Sequence, residues 1–537
     1  MPENPDCQLI KDAIMKTQKT TIQNKPKTRA MTERVTARNP ILALLLRLLW
    51  AAALVLHTSR AQAGVVFTTL HSFTANSDGA APLAGLLLSG NTLYGTASGG
   101  GTNGSGTVFS LNTDATGFTM LHSFTALDLT THANNSDGGR PEAGLILSGN
   151  TLYGTAYVGG TNGSGTVFAV NTNGTGFAIV YSFTADFGFE TTNSDGAGPL
   201  AALISSGSTL YGTTYYGGSS GKGTVFAVST AGTLFTNLYS FTALSNGGYG
   251  TNSDGANPNA GLILSSNTLF GTAFIGGTNG NGTVFALNTD GTGFTNLHTF
   301  TSGGYNDQFY ATNSDGANPN AGLLLSGNTL YGTTSQGGPS GYGSVFKVNT
   351  DGTGFTNLHY FTAASGAYPH VTNSDGVFPN AGLILSGNTL YGVATSGGTN
   401  GNGTVFALNT DGTDFTVLHC FTATDPSTGT NSDGALSQAG LILSGNTLYG
   451  TTYFGGSSGN GTVFSLTLPV PQLTITPSGA NVILAWPTNY IGFTLQATSN
   501  LMSPVWTTDS VAPVIVNGQY GVTNPISGTQ QFFRLSQ

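Results

Sequence analysis

Seven Asn-Ser-Asp-Gly tetrads place an aspartate at Asp78, Asp137, Asp195, Asp254, Asp315, Asp375 and Asp433. Their hard oxygens could hold calcium. Calcium takes about six to eight oxygens, several of them carboxylate, whereas each tetrad offers one carboxylate. An aspartate before glycine also accepts backbone N–H groups and so fixes a turn. The turn role is expected, and calcium is the one cofactor the sequence leaves open. The Asn-Thr-Asp-Gly stretches, such as Asn288 to Gly291, read the same way, as hairpin turns.

Five histidines, His71, His122, His298, His359 and His419, share one repeated position, which Tyr181 and Tyr239 fill in two other copies. A position that takes either ring calls for an amphipathic ring, not a proton shuttle. Only His132 and His370 lie off this pattern. There is no Gly-x-Ser-x-Gly elbow, no His-Glu-x-x-His and no cysteine cluster. A glycosidase would need two acids facing one cleft. The acids outside the repeat pattern are Asp128, Glu142, Asp186, Glu190, Asp307 and Asp425, and no spacing ties one to another.

Aromatic residues break the symmetry of the copies. Equivalent positions hold Ser98, Tyr157, Tyr215, Phe274, Ser335, Thr395 and Tyr453, and Tyr216 and Phe454 follow two of them. A stretch of variable length before each tetrad adds Phe187, Phe189, Tyr249, Tyr305, Phe309, Tyr310, Tyr368 and His370. Arg140 and Glu142 fall nearby, where the other copies favour Ala, Asn or Leu. Flat rings rimmed by Asn, Thr and Asp suit carbohydrate or peptide, because the rings stack and the amides bond hydroxyls. The expected ligand residues are therefore Tyr157, Tyr215, Tyr216, Phe274, Tyr453, Phe454, Arg140, Glu142, Tyr305, Tyr310, Tyr368 and His370. The competing role for these rings is to anchor Gly-rich loops from beneath.

A tandem repeat must position all of these residues. An aromatic-Gly step recurs at Tyr94, Tyr153, Tyr211, Phe270, Tyr331, Tyr391 and Tyr449, sixteen residues after each tetrad aspartate. A Val-Phe step follows fifteen residues later, ending at Phe109, Phe168, Phe226, Phe285, Phe346, Phe406 and Phe464. In the second copy, the expected strands are residues 143–147, 151–156, 166–170 and 177–183. Turn-forming Ser-Gly-Asn, a Gly-rich loop and Asn-Thr-Asn-Gly separate them. Four antiparallel strands at a fixed period describe a propeller blade.

The seventh copy lacks its fourth strand, and residues 65–73 (VVFTTLHSF) match the fourth-strand pattern FTMLHSF of residues 118–124. The expected fold is all-β: a seven-bladed β-propeller over residues 64–468, closed by the N-terminal strand. Closure hides sheet edges that an open array would expose. Alanines 84, 143, 201, 260, 321, 381 and 439 mark where inner strands converge. In such a ring the variable interval and the Gly-rich loop open on one face.

The unit LILSGNTLYGT (145–155) with GGTNGSGTVF (159–168) resembles the Gloeo/Verruco (GloVer) repeat of exported bacterial proteins. That resemblance covers residues 65–466. It implies an extracellular location and no established activity. Members of that family can end in sorting signals, and this chain ends in FFRLSQ. A fainter resemblance to kelch propellers rests on Gly159-Gly160, Phe168 and Phe177, and implies fold alone.

The ends differ in kind from the repeats. Ten of the fourteen Lys and Arg precede residue 64, followed by an apolar run over 41–56 and Ala61-Gln62-Ala63. This order is that of a secretory signal peptide over residues 1–63. Met31 is the expected start, which makes 1–30 an extension. The remaining chain has four basic and nineteen acidic residues, a formal charge of −15. Nucleic acid and anionic membrane are not expected partners of such a chain, and no span is expected after the leader. Cys420 stands alone beyond the leader, so no disulfide joins the chain to itself.

Residues 469–537 show strand-like stretches at 473–476, 481–486, 493–497, 514–516 and 532–535. They are expected to form a small β-sandwich for attachment or sorting, with Trp486 and Trp506 buried rather than stacked on sugar. The protein as a whole is expected to be a monomeric, secreted or cell-surface binding or structural protein without catalysis, taking a glycan or peptide. A propeller glycosidase or polysaccharide lyase and a calcium-stiffened scaffold are the alternatives.

Overall fold

The computed structural model describes residues 64–537 apart from 129, 131–132, 186–191, 246–249, 309, 367–370, 488–492, 503, 517, 527–529 and 537. The leader and the Met31 start lie outside the described residues. So do His132, Asp186, Phe187, Phe189, Glu190, Tyr249, Phe309, Tyr368 and His370. Val65–Gln537 form one compact unit, and all regular elements of the described residues are β-strands.

The fold is all-β and propeller-like. In the second repeat, Ile146–Ser148, Thr151–Ala156, Thr166–Asn171 and Ala178–Ser182 pair antiparallel in chain order. Five other sheets repeat this order. The first strand starts three residues later than the sequence predicts. Its lead-in serves a different contact: the carbonyl of Ala143 accepts the Thr96 hydroxyl of the preceding sheet at 3.0 Å. A Cβ on Gly144 would lie 3.1 Å from the carbonyl oxygen of Gly85. The Ala-Gly step therefore joins neighbouring sheets at their convergence, and only small residues fit there.

Val66–Ser72 pairs antiparallel with Thr462–Thr467, from Val66 opposite Thr467 to Ser72 opposite Thr462. It is the outer strand of a sheet whose other members are Thr462–Thr467, Thr447–Thr452 and Ile442–Ser444. Three contact series then run from sheet to sheet and return to the start. The hydroxyl of Thr451 donates to the carbonyl of Ala84 at 3.1 Å, as Thr96 does to Ala143. The N–H of Ala81 donates to the carbonyl of Asn460 at 2.9 Å, as Arg140 does to Ser105 at 2.8 Å. His122 stacks on Phe177 of the next sheet with centroids 3.6 Å apart, and His419 stacks on Phe67 at 4.1 Å.

Each stack is half of an aromatic quartet. His122 and Phe124 from one sheet meet Phe168 and Phe177 from the next, with Phe124 edge-on to Phe168 at 5.3 Å. Phe124 and Phe168 are fully buried. Offset and edge-on ring pairs of this kind add about 0.5–1.5 kcal/mol each beyond burial. The Val-Phe ring also explains the aromatic-Gly step. A Cβ on Gly271 would meet Phe285 Cζ at 2.6 Å and Leu262 Cδ2 at 2.8 Å.

Residues beyond Leu468 form two sheets. Thr474–Ser478, Asn481–Pro487, Gln519–Pro525 and Val514–Val516 make one, and Thr507–Thr508, Thr494–Thr498 and Phe532–Ser536 make the other. Leu484, Trp486 and Val522 of the first share a core with Leu495 of the second. Trp486 is 1% exposed. The Arg534 guanidinium lies 4.4 Å over the Trp506 ring. Gln519–Pro525 escapes sequence reading because Gly521 and Pro525 look like strand breakers, yet Tyr520 and Val522 alternate inward.

Two outcomes follow from this packing. A chain beginning at residue 74 should melt well below the longer chain, and a synthetic peptide of residues 64–73 added in trans should restore the Tm; a truncated chain that melts like the longer one counts against closure. Gly271→Ala should cost about 1–3 kcal/mol in chemical denaturation through overpacking against Phe285.

Candidate functional site

Two sets of residues gather on the face where the variable intervals meet the Gly-rich loops. The first is the tetrad network. Asp137 is 6% exposed. Its carboxylate accepts the N–H of Thr125 at 3.1 Å and the Thr125 hydroxyl, and His122 Nε2 lies 3.0 Å from Oδ2. Asn135 Oδ1 accepts the N–H of Gly138 at 2.8 Å and of Gly160 at 2.9 Å. Its Nδ2 donates to the carbonyls of Thr125 at 3.0 Å and Gly138 at 2.6 Å. The asparagine thus ties both ends of the interval to the Gly-rich loop, a role the sequence reading gave only to the aspartate.

The network recurs with Asn193 and Asp195, Asn252 and Asp254, Asn313 and Asp315, Asn373 and Asp375, and Asn431 and Asp433. Asp78 receives Thr74 and His71 in the first copy. In two copies the ring donor is a phenol: the Tyr181 and Tyr239 hydroxyls each donate to their aspartate at 2.8 Å. Burial pushes the Asp137 and Asp315 carboxyls up, but hydrogen bonds from His122 and Thr125, and from His298 and Thr301, outweigh it and hold both below the usual range. Burial lowers His71, against the pull of Asp78. Among the described residues no group of three or more His, Cys, Asp or Glu is placed to hold a metal ion. Asp290 of an Asn-Thr-Asp-Gly turn caps its hairpin, accepting the N–H of Thr292 at 2.9 Å and its hydroxyl at 2.7 Å.

The second set surrounds a cavity of about 170 Å³ where the seven Ala-Gly (in one copy Ala-Ala) steps converge. The residue just before each step lines it: Leu83, Glu142, Leu200, Asn259, Asn320, Asn380 and Gln438. Of these, sequence reasoning named Glu142 alone. The signal was available in the position before Ala-Gly, which carries amides in four successive copies. Asn259 Nδ2 donates to Asn320 Oδ1, Asn320 Nδ2 to Asn380 Oδ1 at 3.5 Å, and Asn380 Nδ2 to the Thr395 hydroxyl at 3.1 Å. These bonds leave each amide with further donor or acceptor capacity.

Opposite this arc lie Leu83, Leu200 and Glu142. Burial pushes the Glu142 carboxyl up, and Arg140 pulls it back. Tyr157 is pushed up to about 12 by burial, then by Tyr216 and Glu142, against Arg140. Gly198 makes room for the rings: a Cβ there would lie 2.8 Å from Tyr157 Cε2 and 3.6 Å from Tyr216 Cδ2. Tyr215 meets Tyr216 edge-on at 4.6 Å. Arg140, Glu142, Tyr157, Tyr215 and Tyr216 therefore form one group beside the cavity.

The other expected ligand residues are placed apart. Phe274 packs against Leu244, Ala256 and Ile275. Tyr310 packs under its own interval against Phe378 at 4.9 Å and Tyr342 at 5.6 Å. Tyr305 is 74% exposed on a two-stranded ribbon, Gly304–Tyr305 with Ala311–Thr312. Tyr453 and Phe454 meet edge-on at 4.1 Å. Of the off-repeat acids, Asp128 and Asp425 cap turns through Thr130 and Ser427, and Asp307 is exposed.

A family model described as the Gloeobacter/Verrucomicrobia repeat matches residues 58–193, 126–308, 249–372 and 307–481. No curated protein matches the sequence. Among solved structures, an oligogalacturonate lyase in complex with manganese is 12% identical, with 76% of this chain and 97% of that chain covered and a TM-score of 0.42. A putative 6-phosphogluconolactonase from Bacteroides fragilis is 14% identical, with 83% and 97% covered and a TM-score of 0.40. Nothing about activity follows from either. Among the described residues no helix is long and apolar enough to cross a membrane.

The tetrad network sets an acid sensitivity. His71 has a lowered pKa, so its protonation favours the unfolded chain as pH falls below about 6.5. Asp137 and Asp315 are also lowered, so the stability they add is present above about 3.8 and is lost as pH falls through their folded values. Melting at constant ionic strength should show Tm declining in two stages with acid, one below neutrality and one below pH 4; His71→Phe should remove the first.

Proposed function

The chain belongs to the Gloeobacter/Verrucomicrobia repeat family, and from that premise we propose that it is an exported, non-catalytic binding protein for a hydroxyl-rich ligand, a glycan before a peptide. Its frame is a seven-bladed β-propeller closed by Val66–Ser72, and residues 469–537 are a β-sandwich that attaches or displays it. The three contact series that return from the seventh sheet to the first support the ring. The shared core of the two C-terminal sheets supports the sandwich. The Lys/Arg-rich start, apolar run and Ala-Gln-Ala step support export to the cell surface or medium.

The observation that carries the binding reading is the arc of Asn259, Asn320 and Asn380. Each amide is within hydrogen-bonding reach of the next, a separation comparable to that of adjacent hydroxyls on one sugar ring. An amide can donate to one hydroxyl and accept from another, as vicinal diols require. The Tyr157 and Tyr216 rings nearby supply apolar faces. Among the described residues Glu142 is the one acid lining the cavity, whereas hydrolysis by paired carboxylates needs two.

A glycan and peptide array probed with residues 64–537, with and without chelator, tests this. Asn320→Leu should weaken glycan binding about tenfold or more with Tm unchanged. Release of shortened sugars would instead identify an enzyme, and peptide-only binding would overturn the glycan preference.

A further inference from the structure

The residue two places before each cavity residue adopts a left-handed backbone in all seven copies. The series is Ala81, Arg140, Gly198, Asn257, Asn318, Phe378 and Leu436, with φ between 52° and 64°. Its N–H donates to the preceding sheet in every copy, from Ala81 to Asn460 through Leu436 to Asn402. The ring contact thus imposes the conformation, which favours Gly and tolerates Asn. Gly198 obeys this preference. Asn257 and Asn318 obey it too, and their amides donate to the carbonyls of Tyr215 at 2.8 Å and Phe274 at 3.1 Å. Phe378 goes against it but is 8% exposed and packs on Tyr310 and Tyr342.

Arg140 also goes against it, as Ala81 and Leu436 do, and of these three it carries the charged side chain. Its side chain is exposed, and its guanidinium makes no hydrogen bond or ion pair among the described residues. It makes no close ion pair with Glu142, although the two charges interact. The basic residues beyond the leader are Arg140, Lys222, Lys347 and Arg534. Lys222 is buried, Lys347 reaches the Thr410 carbonyl and Arg534 covers Trp506. Arg140 therefore places an exposed cation beside Tyr157, Tyr216 and the amide-lined cavity, in a chain of strongly acidic balance.

We propose that Arg140 is the anion-binding residue of the cavity face and that the ligand is a saccharide carrying a carboxylate, a uronate-containing glycan. The guanidinium takes the carboxylate through paired N–H donors, the sugar ring lies against the tyrosines, and its hydroxyls meet the amide arc. This inference rests on the glycan reading above and narrows it.

The test is an array of glucuronan, galacturonan and mannuronan fragments, each beside the same fragment after carboxyl reduction. The intact chain should bind at least one acid fragment tenfold or more tightly than its reduced form. Arg140→Asn, which the same backbone position accepts at Asn257 and Asn318, should abolish that preference with Tm equal or raised. Equal binding of acid and reduced fragments, or a preference that survives Arg140→Asn, would overturn the inference while the glycan reading stands. Binding of neither form would overturn this inference, and the wider glycan and peptide array would then decide the reading it rests on. A Tm lowered by Arg140→Asn would show that Arg140 serves the fold and would also refute it.

Discussion

One strand pairing holds the architecture together. The seventh copy of the repeat supplies three strands, so its outer edge and both aromatic interfaces beside it depend on Val66–Ser72. Phe67 faces His419, Phe421 and Phe464 on one side. His71 and Phe73 face Phe109 and Phe118 on the other. Without that strand, fully buried Phe464 and Phe109 would each lose ring partners, and Thr462–Thr467 would become a bare edge. The entropy of closing so long a loop grows only with the logarithm of its length, so the pairing can be stable although it joins the two ends of the repeat array. It also makes the ring's last contact a non-local one, which slows folding more than it weakens the product.

Within that closure, each position in the repeat answers to a different constraint. The Ala-Gly steps are small because neighbouring backbones approach there. The aromatic-Gly glycine is fixed by the ring of the Val-Phe phenylalanine. The tetrad aspartate joins a hydroxyl, an N–H and a ring donor, and that ring in turn stacks on the next sheet. Histidine and tyrosine interchange because both present a flat face and a polar tip that reaches the carboxylate. A substitution at any of these disturbs an interface between sheets, not one strand.

Sequence made the frame legible because these constraints repeat. Strand number, the spare N-terminal strand and the tetrad turns follow from spacing that seven copies enforce. Strand starts were less legible: Ala143 and Gly144 look like strand residues, but their partners lie in the preceding sheet, which periodicity along one chain does not reveal. The site was legible only in part. Tyr157, Tyr215, Tyr216, Arg140 and Glu142 stand out by breaking the pattern. Asn259, Asn320, Asn380 and Gln438 do not, because they look like ordinary polar variation until convergence brings them around one cavity. Tyr310 and Phe274 also stand out in the sequence, and each packs, partly buried, against other apolar side chains.

Symmetry itself sets where recognition can arise. A ring of seven identical side chains around the cavity would present the same chemistry in every direction and could not orient an asymmetric ligand. Here the ring is divided. Three successive asparagines and Gln438 make a neutral hydrogen-bonding arc, and Leu83, Glu142 and Leu200 make a mostly apolar one with a single charge. Outside the second arc lie the tyrosines and Arg140. The interface contacts leave these positions free to vary, since the bonds that close the ring at this rim run through backbone N–H and C=O groups whatever the side chain. The same geometry limits the freedom: at the Arg140 position only the side chain is unconstrained, and the backbone is held at φ 52°. Rigidity of the rim is therefore supplied by the frame, and its chemical asymmetry by the residues that the frame does not specify.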